Sequence, residues 1–263
     1  MFHVRFVFED LKLRSVSALI LISFLFLFAL VVPILLEPSI YVLNILFLRE
    51  LFKLYNFLKE SLLYNIILAV ICIIPLYFSQ TDLALTLFLN FFLFFLIFYL
   101  SRSKSLSFFV VYVNLSISCL LSLLVSPTEI GGASFFVIFI LAVAVTDIGG
   151  YFGGRIIGGP KVLEKVSPGK TWAGILVGWI SVIIFHQTLK FFDLYPSEFF
   201  IFVFFGIALS SQLGDFIESF MKRNLGVKDT DNIIPGHGGL LDRFDGVIFA
   251  SFFVKIIDFY LLI

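Results

Sequence analysis

Apolar runs long enough to form membrane helices recur from about residue 15 to the C-terminus, separated by short polar connections. A helix needs about 20 predominantly apolar residues to cross the hydrocarbon core. The pattern predicts nine helical spans, near residues 15–32, 34–48, 61–78, 83–100, 106–125, 133–148, 171–189, 199–213 and 247–263. Pro33 and Pro38 separate the first two, and the second carries Glu37 near its start; fusing them gives an eight-span alternative. The alternating segments of about ten residues that mark a membrane β-barrel are missing from the sequence. The first run follows the charged stretch MFHVRFVFEDLKLR and has no small-residue cleavage signature, so it reads as a retained span. The expected fold is therefore all-α, a polytopic integral membrane protein.

Basic residues test this map, because cytoplasmic loops are enriched in Lys and Arg. With the N-terminus in the cytoplasm, the cytoplasmic segments hold Arg5, Lys12, Arg14, Arg49, Lys53, Lys59, Arg102, Lys104, Arg155, Lys161, Lys165, Lys170, Lys222, Arg223, Lys228 and Arg243. Only Lys190 falls in an outer loop, and Lys255 lies within the last span. Fusing the first two spans would invert every later loop and lose this agreement.

Composition agrees. The chain is 60% hydrophobic and 14% charged, with 37 Phe, whereas a soluble domain is about a quarter charged. The formal net charge is zero, so no nucleic-acid partner is expected. Cys72 and Cys119 both sit in apolar runs and read as packing residues. Glycine is distributed unevenly: all 18 lie at or beyond Gly131. One membrane domain, 1–263, is expected, with a helical scaffold over 1–130 and a catalytic half over 131–263. In that half, glycine-dotted loops are expected over 149–170 and 214–246, both facing the cytoplasm because two spans separate them.

Those loops concentrate the polar chemistry. In SQLGDFIESFMKR, a continuing helix would place Ser211, Asp215, Glu218 and Lys222 on one face. A Glu218–Lys222 pair is the plain reading of those two, and it leaves Asp215 unexplained. Carboxylates at membrane depth are costly unless paired or bound to a cation. In LLDRFDG, Asp242 and Asp245 are three apart, and each also suits a first helical turn on dipole grounds alone. Oxygen-only carboxylate clusters suit hard cations such as Mg²⁺; zinc is disfavoured, with no cysteine nearby. Lys222, Arg223, Lys228 and Arg243 interleave with the acids, a layout suited to phosphoryl chemistry. The amides of Gly238 and Gly239 in GHGG would add an anion nest. Gly169-Lys170-Thr171 looks like the end of a phosphate loop, but Glu164 stands where that motif needs glycine, so a P-loop is rejected. Lys170 and Thr171 at a helix N-terminus still suit a phosphate. His3 and His186 carry little weight.

The stretch SFMKRNLGVKDTDNIIPGHGGLLDRFDG, residues 219–246, resembles the signature of the phosphatidate cytidylyltransferase (CDP-diacylglycerol synthase) family. Ser219, Lys222, Arg223, Lys228, Asp229, Pro235 to Gly239, Asp242, Arg243 and Asp245 carry the match. Upstream, TDIGGYFGGRIIGGPKVLEKVSPGKTWAG and LGDFIES look like further family blocks, so the resemblance runs from about residue 133 to the C-terminus. Asp231 stands where the family usually has a small residue, and Gly246 where Ser is common. The resemblance implies transfer of CMP from CTP to phosphatidate, giving CDP-diacylglycerol and pyrophosphate, in the bacterial inner membrane with the site facing the cytoplasm. It implies Mg²⁺ on Asp215 and Asp242, with Asp245 and Glu218 as further candidates, K⁺ as a second metal, and a homodimer. Lys222, Arg223, Lys228 and Arg243 would orient the phosphates, with Asp229 in the catalytic set. Ser167, Lys170 and Thr171 would close the site, and His237 would bond phosphate.

Other readings are a CTP-using relative acting on another lipid phosphate, a polyprenol kinase, a CDP-alcohol phosphotransferase and a secondary transporter. The phosphotransferase pattern is absent, because Asp245-Gly246 is followed by Val247-Ile248-Phe249-Ala250. Glycine confined to one half argues against the inverted repeats of a transporter.

Overall fold

A computed structural model of the chain describes residues 35–57, 62–195, 197–231 and 238–262. These residues fold into eight helices and one hairpin. The elements are α1 (Leu36–Leu54), α2 (Leu62–Tyr77), α3 (Leu83–Ser101), α4 (Lys104–Leu124), α5 (Gly132–Ile156), β1 (Lys161–Leu163), β2 (Ser167–Thr171), α6 (Trp172–Phe191), α7 (Phe199–Asn224) and α8 (Leu241–Leu262).

Five of them, α3 to α7, are long and apolar enough to cross a membrane. The nine expected spans are thus only partly matched. The first, 15–32, lies outside the described residues. The second corresponds to α1, which continues past its apolar stretch into Arg49, Glu50 and Lys53. The third is the shorter apolar helix α2. The last is α8, which carries Asp242, Arg243 and Asp245 in its opening turns and Lys255 and Asp258 further on.

The chain divides into two compact units. One comprises residues 1–115 and 229–243, the other 116–228 and 244–263. Within the first, helices are joined by amides in apolar surroundings. Asn44 on α1 donates to Asn114 on α4 at 3.0 Å, and Asn114 donates to the Cys72 carbonyl on α2 at 2.8 Å. Such bonds link helices where apolar contact alone discriminates little. On α3, Phe88, Phe91, Phe92, Phe95 and Tyr99 stay exposed, as expected of a lipid-facing surface. Asp82 starts that helix by accepting from the Leu85 amide at 2.9 Å.

In the second unit the glycine-rich stretch proves different from the expected loop. Residues 149–156 continue α5 as helix, and 214–224 continue α7. Glycine here serves close packing: a Cβ on Gly174 of α6 would lie 2.7 Å from the Gly150 carbonyl oxygen of α5. Small residues let membrane helices approach backbone to backbone, which is why a glycine run remains helical.

The rest of the 149–170 stretch forms the one β element among the described residues. β1 and β2 pair antiparallel, Lys161 opposite Thr171 and Leu163 opposite Ser167. Two more residues separate the β2 partners than the β1 partners, so β2 bulges around Pro168, which has no amide hydrogen to donate. The hairpin hands the chain to α6 through Thr171, whose hydroxyl oxygen accepts from the Gly174 amide at 3.1 Å.

Candidate functional site

In the second unit, charge converges from four elements. Because α7 runs on through residue 224, Ser211, Asp215, Glu218 and Lys222 keep their common face. Glu218 and Lys222 form the expected pair at 3.1 Å. Lys170, at the end of β2, pairs with Asp215 and lies 4.6 Å from the centre of the Phe216 ring. Asp245 enters from α8, where Gly214 permits the approach: a Cβ there would lie 2.5 Å from the Asp245 carbonyl oxygen. The Asp245 side chain accepts from the Gly246 amide at 2.7 Å, contacts Glu218, and lies in the field of Asp215 and Asp147.

Four acids and two lysines therefore share one neighbourhood. Like-charged carboxylates raise one another's free energy, and a nearby cation relieves it. The donor chemistry fits a hard divalent ion, which takes carboxylate oxygens and substrate phosphates. Among the described residues, however, no three His, Cys, Asp or Glu side chains stand ready-made as an ion cage. Lys170 and Lys222 supply the neutralising charge.

The remaining basic residues divide by what they touch. Arg223 donates from Nε to the Val166 carbonyl at 3.2 Å and from a terminal nitrogen to the Val227 carbonyl at 3.1 Å. It thus ties the hairpin turn to the end of α7, a bracing contact the sequence did not suggest. Ser167 begins β2 half-buried, and Lys228 is exposed. Thr171 is buried at the head of α6, its oxygen engaged in capping.

The first unit holds the other half of the signature, 229–243. Asp242 Oδ2 accepts from the Thr230 amide at 2.9 Å, the Thr230 hydroxyl at 3.1 Å and the Gly239 amide at 2.8 Å. Both glycines are required sterically. Gly238 has φ near +80°, and a Cβ there would lie 2.6 Å from Asp242 Oδ2. A Cβ on Gly239 would meet the Thr230 hydroxyl and come within 2.7 Å of Glu50 Oε2.

The anion nest expected in GHGG therefore holds carboxylates of the chain itself. The Gly239 amide donates to Asp242, and the next two amides, Leu240 and Leu241, donate to Glu50 at 2.6 and 2.9 Å. Glu50 is fully buried. Burial pushes its carboxyl above the usual carboxylate range, with the Asp242 charge adding. The Leu241 and Leu240 amides and the Thr230 hydroxyl pull it back. Lys53, one turn further along α1, donates to Asp231 at 2.5 Å. Asp229 and Arg243 are exposed, while His237 lies outside the described residues.

Sequence reasoning missed Glu50. The available signal was an acid between Arg49 and Lys53 at the end of an apolar helix.

These features describe a mostly helical protein with five helices long and apolar enough to cross a membrane and a cluster of carboxylates and lysines. The model of the cytidylyltransferase family matches residues 12–261, and the chain belongs to that family. Among similar curated proteins, a phosphatidate cytidylyltransferase of Brucella suis is 38% identical over 117 residues, 44% of this chain and 43% of that protein. One of Staphylococcus haemolyticus is 39% identical over 125 residues, 47% of this chain and 48% of that protein. One of Haemophilus influenzae is 40% identical over 132 residues, 48% of this chain and 45% of that protein. The matched stretch spans a little under half the length of each of these relatives.

Proposed function

We propose that the chain is a phosphatidate cytidylyltransferase, moving CMP from CTP to phosphatidate at the cytoplasmic face of a bacterial inner membrane. The carrying observation is the second unit's cluster, where Lys170 meets Asp215 and Lys222 meets Glu218 beside Asp245. Family membership and the names of the relatives support the same reading.

In the proposed reaction a phosphate oxygen of the lipid attacks the α-phosphorus of CTP. The bond between the α-phosphorus and its bridging oxygen to the β-phosphate breaks, and pyrophosphate leaves. No general base is needed, since a phosphate monoester already carries most of its charge at neutral pH. Lys170, Lys222 and Lys228 neutralise the phosphate oxygens, and the family resemblance gives Arg243 and His237 phosphate-binding roles as well. Ser167 and Thr171 line the hairpin side, Thr171 while capping α6. Arg223 acts through the hairpin turn that it braces.

Magnesium would offset charge building on the phosphates. Asp215, with Asp245 beside it, is the pair we assign to it, and Asp242 instead holds the glycine loop through Thr230 and Gly239. A potassium ion as second metal and a homodimer, both implied by the resemblance, remain part of the proposal.

The deciding experiment uses purified protein in detergent with phosphatidate and CTP labelled at the α-phosphate. Label is followed into the lipid phase with and without Mg²⁺. Metal-dependent labelled CDP-diacylglycerol is the expected result. Absence of labelled lipid, beside an active relative as control, would refute the substrate assignment. Asp242→Asn separates the carboxylate roles: turnover should fall steeply while the Mg²⁺ concentration for half-maximal rate stays within about twofold. In Asp215→Asn that concentration should rise at least about tenfold.

A further inference from the structure

The signature loop is fastened by a helix far upstream in sequence. On α1, Glu50 and Lys53 lie three apart and so share a face. Glu50 Oε1 accepts from the Leu240 amide; Oε2 accepts from the Leu241 amide and, at 3.1 Å, from the Thr230 hydroxyl. One carboxylate thus ties Thr230 to Leu240 and Leu241. Asp242 repeats that join from the other side, through Thr230 and Gly239. Lys53 adds a second point of attachment at Asp231, whose side chain is only 7% exposed against 56% for the lysine.

We infer that Glu50 and Lys53 form a clasp that positions Thr230, Asp231, Leu240 and Leu241 for nucleotide turnover, with Glu50 as its main positioning residue. The inference rests on the cytidylyltransferase reading above.

Three considerations favour this over a plain helix cap. A helix N-terminus is ordinarily capped by a local Ser, Thr, Asp or Asn, whereas this cap comes from 190 residues upstream. Burying a carboxylate is costly, and a local cap would avoid that cost. The bonded backbone also belongs to the stretch carrying the glycines and His237, where small displacements change rates most. The clasp further accounts for Asp231, the residue that departs from the family pattern: here it is the partner of Lys53.

The test compares full-length wild type, Glu50→Gln and Lys53→Ala in detergent. Glutamine keeps the size of Glu50 but offers one acceptor oxygen where the carboxylate used two. Glu50→Gln should keep its melting midpoint within a few degrees of wild type. Amide exchange at residues 230 and 239–241 should rise at least about tenfold, with α7 amides unchanged. kcat should fall at least about tenfold, with the KM for phosphatidate within about twofold. Lys53→Ala, Asp231→Ala and the double variant should each lose about two- to fivefold, without adding, as expected for one shared contact.

Wild-type exchange at those amides, or kcat within about twofold of wild type, in Glu50→Gln overturns the clasp. If Glu50→Gln does not fold, Lys53→Ala decides: faster exchange at 230–231 with slower turnover supports the clasp, and wild-type behaviour overturns it. Should wild type make no CDP-lipid while an active relative does, the functional reading falls by itself, and the exchange comparison still judges the clasp.

Discussion

Two carboxylates on α8, both in the second unit, live under opposite conditions. Asp258 is fully buried and surrounded by donors. The Ser126 and Thr128 hydroxyls each donate to it at 2.5 Å, and Lys255 pairs with it at 2.8 Å. Asp245, near the start of the same helix, accepts from the Gly246 amide at 2.7 Å and has three acids for neighbours among the described residues. The first arrangement is what a fold builds when a buried charge must hold a loop in place. The second raises the free energy of the folded chain and persists where something other than stability selects it. Two Asp residues on one helix thus separate by their surroundings into one that fastens and one that is kept in readiness for charge.

The comparison breaks most sharply at Asp215, the acid beside Asp245 that carries the proposed metal role. Asp215→Asn should cost roughly 10²–10³-fold in transfer of labelled CMP to lipid, the range for removing one electrostatic contact to a transition state. The melting midpoint should stay within a few degrees, because losing the ion pair with Lys170 is offset by removing a like charge from beside Asp245. A lower midpoint with normal turnover would place Asp215 among the fastening residues.

Asp245→Asn should follow with a loss of roughly 10- to 100-fold, again without loss of thermal stability in detergent. Asp258→Asn should invert both signs. Replacing the carboxylate weakens charge-assisted bonds worth about 1.5–3 kcal/mol each. The midpoint should fall by several degrees, and membrane abundance with it, while turnover per folded molecule stays within about twofold. If Asp258→Asn were instead inactive and stable, the distinction between the two ends of α8 would fail.

How much of this was readable from sequence follows the same division. Helical spacing predicted that Ser211, Asp215, Glu218 and Lys222 share a face, because the period of a helix is local and α7 stays regular through residue 224. The signature blocks led to the family for a similar reason, each being a short contiguous pattern. The glycine stretch misled. Gly149, Gly150, Gly153 and Gly154 suggested a loop, and their spacing of four was the overlooked sign of helix packing against α6. For Glu50 the sequence offered only an acid at the end of an apolar helix; its partners depend on a register between segments about 190 residues apart, which no local period encodes. The hairpin was missed because β1 has only three residues and β2 contains a proline.

The smallest expected effect sharpens the comparison most finely. Gly246 follows Asp245, at the position where the family resemblance leads to an expectation of Ser. Here a Cβ would lie 3.1 Å from the Ser211 Cβ and 3.3 Å from both the Ser211 carbonyl oxygen and a Val143 methyl. Gly246→Ser therefore adds two effects of opposite sign. Crowding between α8 and its neighbours should cost about 1 kcal/mol, while the new hydroxyl offers a further donor beside the acidic cluster. The midpoint should fall by a few degrees, and turnover should stay within about threefold. A second substitution, Ser211→Gly, makes room for the added Cβ and should restore the midpoint. If Gly246→Ser lowered turnover more than tenfold and Ser211→Gly left it low, the donor would be the cause. The absence of a hydroxyl next to Asp245 would then be a requirement of the chemistry, rather than a consequence of how closely α8 packs.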